Sequence, residues 1–86
     1  MEETAIDIEE WDWVCDKNQM ICRNIENCVV VKIETIGKTY NGKLHGIPLE
    51  LFGKIARLKH SEQIIQKIIK SAEDKFFLGL MDIALD

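Results

Sequence analysis

The spacing of apolar residues changes at Pro48, the only proline in the chain. Before Pro48, apolar and polar residues alternate in short runs, which are found at residues 11–15, 29–33 and 40–44. Because alternation places every second side chain on one face of a strand, this part predicts a small β-sheet that faces a core. After Pro48, apolar residues recur every three or four positions, the period of an amphipathic helix. The pattern therefore predicts an α+β fold, with strands followed by helices.

The first part predicts an antiparallel β-meander of three to four strands, within about residues 10–46. The predicted strands cover residues 10–16, 19–23, 28–34 and 39–45. Trp11, Trp13 and Cys15 fall on one face of the first strand, and we expect that face to lie against the core. The first two strands form a hairpin, because Asp and Asn in the intervening residues favour a turn. The third strand has the strongest signal, since consecutive valines favour extended backbone.

The fourth strand depends on how residues 35–45 are interpreted. In one interpretation the chain turns at residues 36–38, and a fourth strand follows. In the other, the third strand continues to Tyr40 and turns at Asn41 and Gly42, a dipeptide typical of hairpins. The alternation of apolar and polar residues continues through Gly42, which favours the first interpretation. Gly42 then predicts a bulge or a point of close approach.

The second part predicts two C-terminal helices, at about residues 48–58 and 62–84, which pack on one face of the sheet. Pro48 suits the first turn of a helix, and Ser61 suits the N-cap of the second. Glycine disfavours a helix interior, so we expect that close packing of the first helix on the sheet explains the presence of Gly53. The positions expected to face the core are Leu49, Phe52, Ile55 and Ala56, then Ile65, Ile68, Ile69 and Ala72.

The end of the second helix is apolar on all sides, because only Gly79 and Asp82 interrupt the apolar residues between Phe76 and Leu85. A helix of this kind must be buried on several sides. A small sheet and one short helix cover one or two sides, so the pattern predicts a contact with another chain, most simply a second copy. The candidate interface residues are Phe77, Leu78, Met81 and Leu85. The alternative is that the N-terminus or the first helix covers this surface.

The charges are unevenly distributed along the chain. Residues 1–16 hold seven acidic residues and no basic one, whereas the remainder holds eleven basic and eight acidic residues. We expect residues 1–9 to form a loosely ordered acidic arm, which Ile8 could anchor, and residues 10–86 to form a single domain. The arm is either a solvated terminus or a regulatory segment that binds a basic or nucleic-acid-associated target.

A weaker signal is a small basic patch near the junction of the two helices. It consists of Lys54, Arg57, Lys59 and His60. Phosphate binding requires basic residues on one face, so this patch is a weak candidate for a nucleic-acid contact. The net charge of −4 and the lack of a recognition-helix motif favour a solvated helix face instead.

The spacing of the three cysteines does not predict a metal site. Cys15, Cys22 and Cys28 lack the close pairs that are typical of zinc ligands. Their odd number, and an N-terminus without a basic and apolar leader, predict free thiols in the cytoplasm. We expect Cys15 to be a small core residue. An enzyme that uses a cysteine nucleophile with His45 as its base is a third hypothesis, although no spacing in the sequence requires it.

No motif in the chain specifies a reaction, a cofactor or a small-molecule ligand. No segment approaches the roughly 20 apolar residues that a membrane-spanning helix needs. The sequence therefore predicts a cytoplasmic, non-catalytic protein–protein interaction or accessory module, homodimeric through residues 76–85.

Overall fold

The computed structural model describes the backbone of residues 7–85 and the side chains of residues 7–80. A four-stranded antiparallel sheet, with its strands in chain order, precedes two helices, which confirms the predicted α+β fold. The strands are β1 (Val14–Asp16), β2 (Ile21–Asn24), β3 (Val29–Ile36) and β4 (Thr39–Gly46). The helices are α1 (Leu49–Ala56) and α2 (Ser61–Leu85), and a short 3₁₀ helix (Ile8–Glu10) precedes β1.

The turns on either side of the central strands follow the predicted chemistry. The carboxylate of Asp16 accepts hydrogen bonds from the backbone N–H groups of Asn18 and Gln19, at 2.9 and 3.3 Å. This contact holds the turn between β1 and β2. The turn between β3 and β4 contains Gly37, whose φ of +63° lies in the left-handed region that favours glycine. The interpretation with a turn at residues 36–38 and a fourth strand is therefore confirmed.

The turn between β2 and β3 depends on a buried asparagine, Asn24. The side chain of Asn24 is 1% exposed. Its Nδ2 donates to the carbonyl oxygen of Asp12 at 2.9 Å, and its Oδ1 accepts from the backbone and side-chain N–H groups of Asn27 at 2.7 and 2.9 Å. Asn24 therefore joins this turn to the segment before β1, and its buried polar atoms have partners.

Helix α2 covers one face of the sheet and contacts all four strands. Its buried side chains are Ile68, Ala72 and Phe76, which are spaced four residues apart and so lie on one face. The buried side chains of the sheet are Cys22, Val29, Val31 and Ile33. Trp13 is also buried, and its indole Nε1 donates to the Ser71 hydroxyl at 3.0 Å. The core therefore lies between α2 and one face of the sheet.

Gly42 is the point where α2 comes closest to β4. A Cβ atom at Gly42 would lie 2.8 Å from Ile69 Cγ2 and 2.9 Å from Glu73 Cγ, so no larger residue fits without a shift. The backbone N–H of Gly42 donates to Glu73 Oε2 at 2.7 Å. The interpretation of Gly42 as a point of close approach is confirmed, whereas the register shift between β3 and β4 lies at Val30 and Val31.

Helix α1 packs against α2 with a different side from the one predicted. Pro48 is the N-cap, with extended backbone, rather than the first helical residue. Ile55 is fully buried, as predicted, but Leu49 is 85% and Phe52 is 45% exposed. Ala56 is also exposed. The prediction that these three residues face the core is wrong, because α1 turns the side that carries Leu51 and Ile55 toward the core.

The expected reason for Gly53 is also wrong. Among the described residues, no atom lies within 4 Å of the position that a Cβ at Gly53 would take. Close packing against the described residues therefore does not account for a glycine in the middle of α1.

The prediction of free thiols is wrong for two of the three cysteines. Cys15 and Cys22 form a disulfide between β1 and β2, while Cys28 is free and exposed. The antiparallel register places Cys15 directly opposite Cys22. Side chains at opposite positions lie close enough to react, and the spacing along the sequence does not reveal this register.

Substitution by alanine should change the free energy of unfolding in opposite directions at Gly42 and at Gly53. We expect Gly42→Ala to lower the free energy of unfolding by about 1–3 kcal/mol, because the added methyl group overpacks the contact with Ile69 and Glu73. We expect Gly53→Ala to raise it by about 0.5–1 kcal/mol, because alanine favours the helix and no described neighbour obstructs the methyl group. Urea denaturation of dilute protein measures both changes, and effects of the same sign would contradict this account.

The disulfide predicts a defined number of accessible thiols. Alkylation of the unreduced, denatured protein should add one label, on Cys28, and alkylation after reduction should add three. Reduction should also lower the free energy of unfolding by about 2–3 kcal/mol, because it frees a short closed loop in the unfolded chain. Mass spectrometry of the labelled peptides checks the count, and a label on Cys15 or Cys22 before reduction would contradict the disulfide.

Candidate functional site

The first candidate surface lies near the end of α2, and we call Phe77 and Leu78 the C-terminal surface. Phe77 is 38% and Leu78 is 59% exposed, next to the buried Phe76. The Tyr40 ring lies edge-on to the rings of Phe76 and Phe77, with centroid distances of 5.7 and 5.5 Å. The side chains of the other two predicted interface residues, Met81 and Leu85, lie outside the described residues. Both predicted residues that the structure describes are therefore exposed.

Helix α1 does not cover the C-terminal surface. Tyr40, near the start of β4, contacts Phe76, near the end of α2, so the strand and the helix run antiparallel. Helix α1 connects to the other end of α2, through residues 57–60. Near its C-terminus, α2 accepts a hydrogen bond from Lys17 Nζ at the Gly79 carbonyl, at 2.6 Å, so β1 and its turn, not α1, lie beside this part of the helix. The alternative that α1 buries Phe77 and Leu78 is therefore wrong.

The N-terminal segment contacts α2 away from the C-terminal surface. Ile8 is buried and, with Glu9, lines a groove with Lys67 and Lys70. Ile8 therefore anchors the N-terminal segment to α2, as the sequence allowed. Residues 1–6 of the predicted acidic arm lie outside the described residues.

The second candidate surface is on α1 and was not predicted as a surface. Its residues are Leu49, Phe52, Gly53 and Ala56, which we call the α1 outer surface. Successive helical residues are rotated by about 100°, so these four positions span an arc of about 100°. An apolar arc of this width is typical of a helix side that faces a core, yet here Leu49, Phe52 and Ala56 are exposed and Gly53 is half-exposed. Helix α1 therefore has apolar residues on two sides. One of these sides packs on the core, and the other does not.

The predicted basic patch borders the α1 outer surface. Lys54, Arg57, Lys59 and His60 are all exposed, on α1 and in the connection to α2. Within residues 7–80 the ion pairs are Lys43–Glu34 and Lys70–Asp74, so none of the four residues belongs to an ion pair there. The patch can therefore supply basic groups to a partner that contacts α1.

The uncovered face of the sheet carries charged side chains beside the exposed apolar residues Val14 and Ile36. Lys32 and Lys43 are direct partners on β3 and β4, an arrangement that repels like charges. Glu34 offsets this repulsion through an ion pair with Lys43 at 2.9 Å. The hydrogen bond from Lys43 holds the pKa of Glu34 below its ordinary value. Desolvation opposes this effect, and the charges of Lys43 and Lys32 add smaller lowering effects. This face is consistent with contact with water.

The described side chains bring together little catalytic chemistry. The Cys28 Sγ lies 3.6 Å from the Ile25 carbonyl oxygen, and no hydrogen bond joins it to His45 or His60 within residues 7–80. No group of three metal-ligating residues occurs among the side chains that are described. A groove of about 550 Å³ runs along the first part of α2, but its described lining is Glu62, Gln63, Ile65, Gln66 and Lys67, without a histidine or cysteine.

Comparison with known proteins provides no relative. No protein-family model matches the chain, and neither the curated proteins nor the solved structures include a significant match. Within the described residues, neither helix has the length and hydrophobicity that a membrane crossing requires.

Proposed function

We propose that this protein is a non-catalytic protein–protein interaction or accessory module that self-associates as a homodimer. The observation that carries the proposal is the exposure of large apolar side chains on both helices, above all Leu49, Phe52 and Leu78. Full burial of a leucine or phenylalanine side chain contributes about 1.5–3 kcal/mol, so a partner that covers these residues gains substantial free energy.

The position of the two apolar surfaces supports two separate contacts. The C-terminal surface lies near the end of α2, and the α1 outer surface lies beside its beginning. A single small partner would not readily cover both surfaces through one contact. Self-association through one surface therefore leaves the other available to a different protein, as an accessory module requires.

The cytoplasmic location of this module is a proposal. The cytoplasmic prediction rested partly on free thiols, and the disulfide between Cys15 and Cys22 removes that support. Disulfides persist mainly in oxidising compartments. A cytoplasmic module with this bond would hold it as a redox-sensitive feature.

A second candidate function uses the acidic residues before β1. Glu9, Glu10 and Asp12 are exposed, while Ile8 anchors the segment to α2. This arrangement supports the regulatory hypothesis, in which an acidic segment binds a basic or nucleic-acid-associated target. The apolar surfaces have no role in that hypothesis, so we favour the interaction module.

Self-association predicts a mass that rises with protein concentration. The chain has a mass of 9.9 kDa, and we expect its average mass in sedimentation equilibrium to approach twice that value in the upper micromolar range. We expect weak affinity because the two surfaces consist of two and four named residues, whereas a standard protein interface involves about 20–30 residues on each side. A monomeric mass up to millimolar concentration would contradict the proposal.

A further inference from the structure

We infer that a second copy of the chain packs antiparallel on the α1 outer surface, with a two-fold axis close to Gly53. This inference rests on the proposed self-association and assigns it to α1 instead of the predicted residues 76–85. A two-fold contact brings the same surface of both copies together, so the surface must be complementary to itself. Its apolar residues and its charges both meet that requirement.

The apolar residues complement one another in an antiparallel pair. Helix α1 spans Leu49–Ala56, so its midpoint lies between Phe52 and Gly53. A two-fold axis at this midpoint places the large Leu49 opposite the small Ala56 of the partner subunit. Beside the axis, Gly53 meets the partner's Gly53 on one flank, and Phe52 meets the partner's Phe52 on the other. Packed helices lie about 8–10 Å apart, and small residues at the crossing permit the shorter distances. The space beside Gly53 that the described part of the chain leaves open is the space that a partner helix would use.

The charges complement one another in the same arrangement. Glu50, Lys54 and Arg57 follow one flank of the apolar arc, with the acid near the beginning of the helix and the two bases near its end. The two-fold axis brings these flanks together in opposite directions. With a rise of about 1.5 Å per residue, Glu50 then lies level with the interval between Lys54 and Arg57 of the partner subunit. The contact occurs twice in the dimer.

Other occupants fit this surface less well. A parallel pair of α1 helices would place Glu50 opposite Glu50 of the partner subunit and the bases opposite each other. An anionic lipid surface would repel Glu50 and the chain as a whole, whose net charge is −4. The antiparallel second copy is the arrangement in which each charge of this flank gains an opposite one.

A charge-exchange experiment tests the arrangement directly. One variant carries Glu50→Arg, and a second carries Lys54→Glu with Arg57→Glu. Each variant alone places like charges together at both contacts, so we expect its dimer dissociation constant to rise about tenfold or more. In an equal mixture every contact joins opposite charges again, and we expect a heterodimer with a dissociation constant within about threefold of the unmodified dimer. Sedimentation equilibrium at low salt measures all three, and circular dichroism confirms that each variant folds.

Two further variants distinguish this inference from the proposed function. Leu78→Glu, an exposed substitution on the C-terminal surface, should leave the dissociation constant within about twofold of the unmodified value. Gly53→Ala should weaken the dimer while it stabilises the folded chain, and it is informative even if the charge variants fail to fold.

Four results would overturn the inference. A mixture of the charge variants that stays monomeric, or a Gly53→Ala dimer as tight as the original, would exclude the contact at α1. Loss of the dimer in Leu78→Glu alone would place self-association on the C-terminal surface, so the proposed function would stand and this inference would fail. An unmodified chain that never dimerises would reject both.

Discussion

The close contact between α2 and β4 at Gly42 fixes how the long helix lies on the sheet. Without a Cβ at Gly42, Ile69 and Glu73 approach the strand backbone directly, and the Glu73 carboxylate accepts the hydrogen bond of a strand N–H group. This contact determines the rotation of α2 about its axis. At that rotation Phe76 enters the core, while Phe77 and Leu78 remain exposed. The same contact thus forms the core and leaves the C-terminal surface uncovered.

The position of α2 also explains the exposure of α1. Helix α2 fills the covered face of the sheet, so α1 packs against α2 and reaches the core through Ile55. An eight-residue helix with one fully buried side chain leaves most of its apolar arc in solvent. We propose that a second copy covers this arc, and the unobstructed Gly53 supports that proposal because glycine otherwise disfavours a helix interior.

Features encoded by local periodicity could be predicted from the sequence. The strands, the turn at Gly37 and both helices follow from the spacing of apolar residues and from turn chemistry. The disulfide between Cys15 and Cys22 could not be predicted, because it depends on the register of β1 and β2. The burial of Asn24 depends in the same way on the path of the chain before β1.

The candidate surfaces differ in how far the sequence reveals them. The excess of apolar residues at the end of α2 predicted exposure, and the described residues Phe77 and Leu78 are exposed. In α1, an apolar arc toward a partner has the same period as an arc toward the core, so Leu49 and Phe52 were assigned to the wrong environment. Only the tertiary structure shows which side of α1 faces α2.

Hydrogen exchange at several protein concentrations shows whether another copy of the chain covers the α1 outer surface. Amides of residues 52–57 should exchange more slowly as concentration rises, because dimerisation suppresses local opening of α1. Amides of residues 76–80 should keep their exchange rates over the same range. Protection that increases at residues 76–80 while α1 stays unchanged would contradict the account.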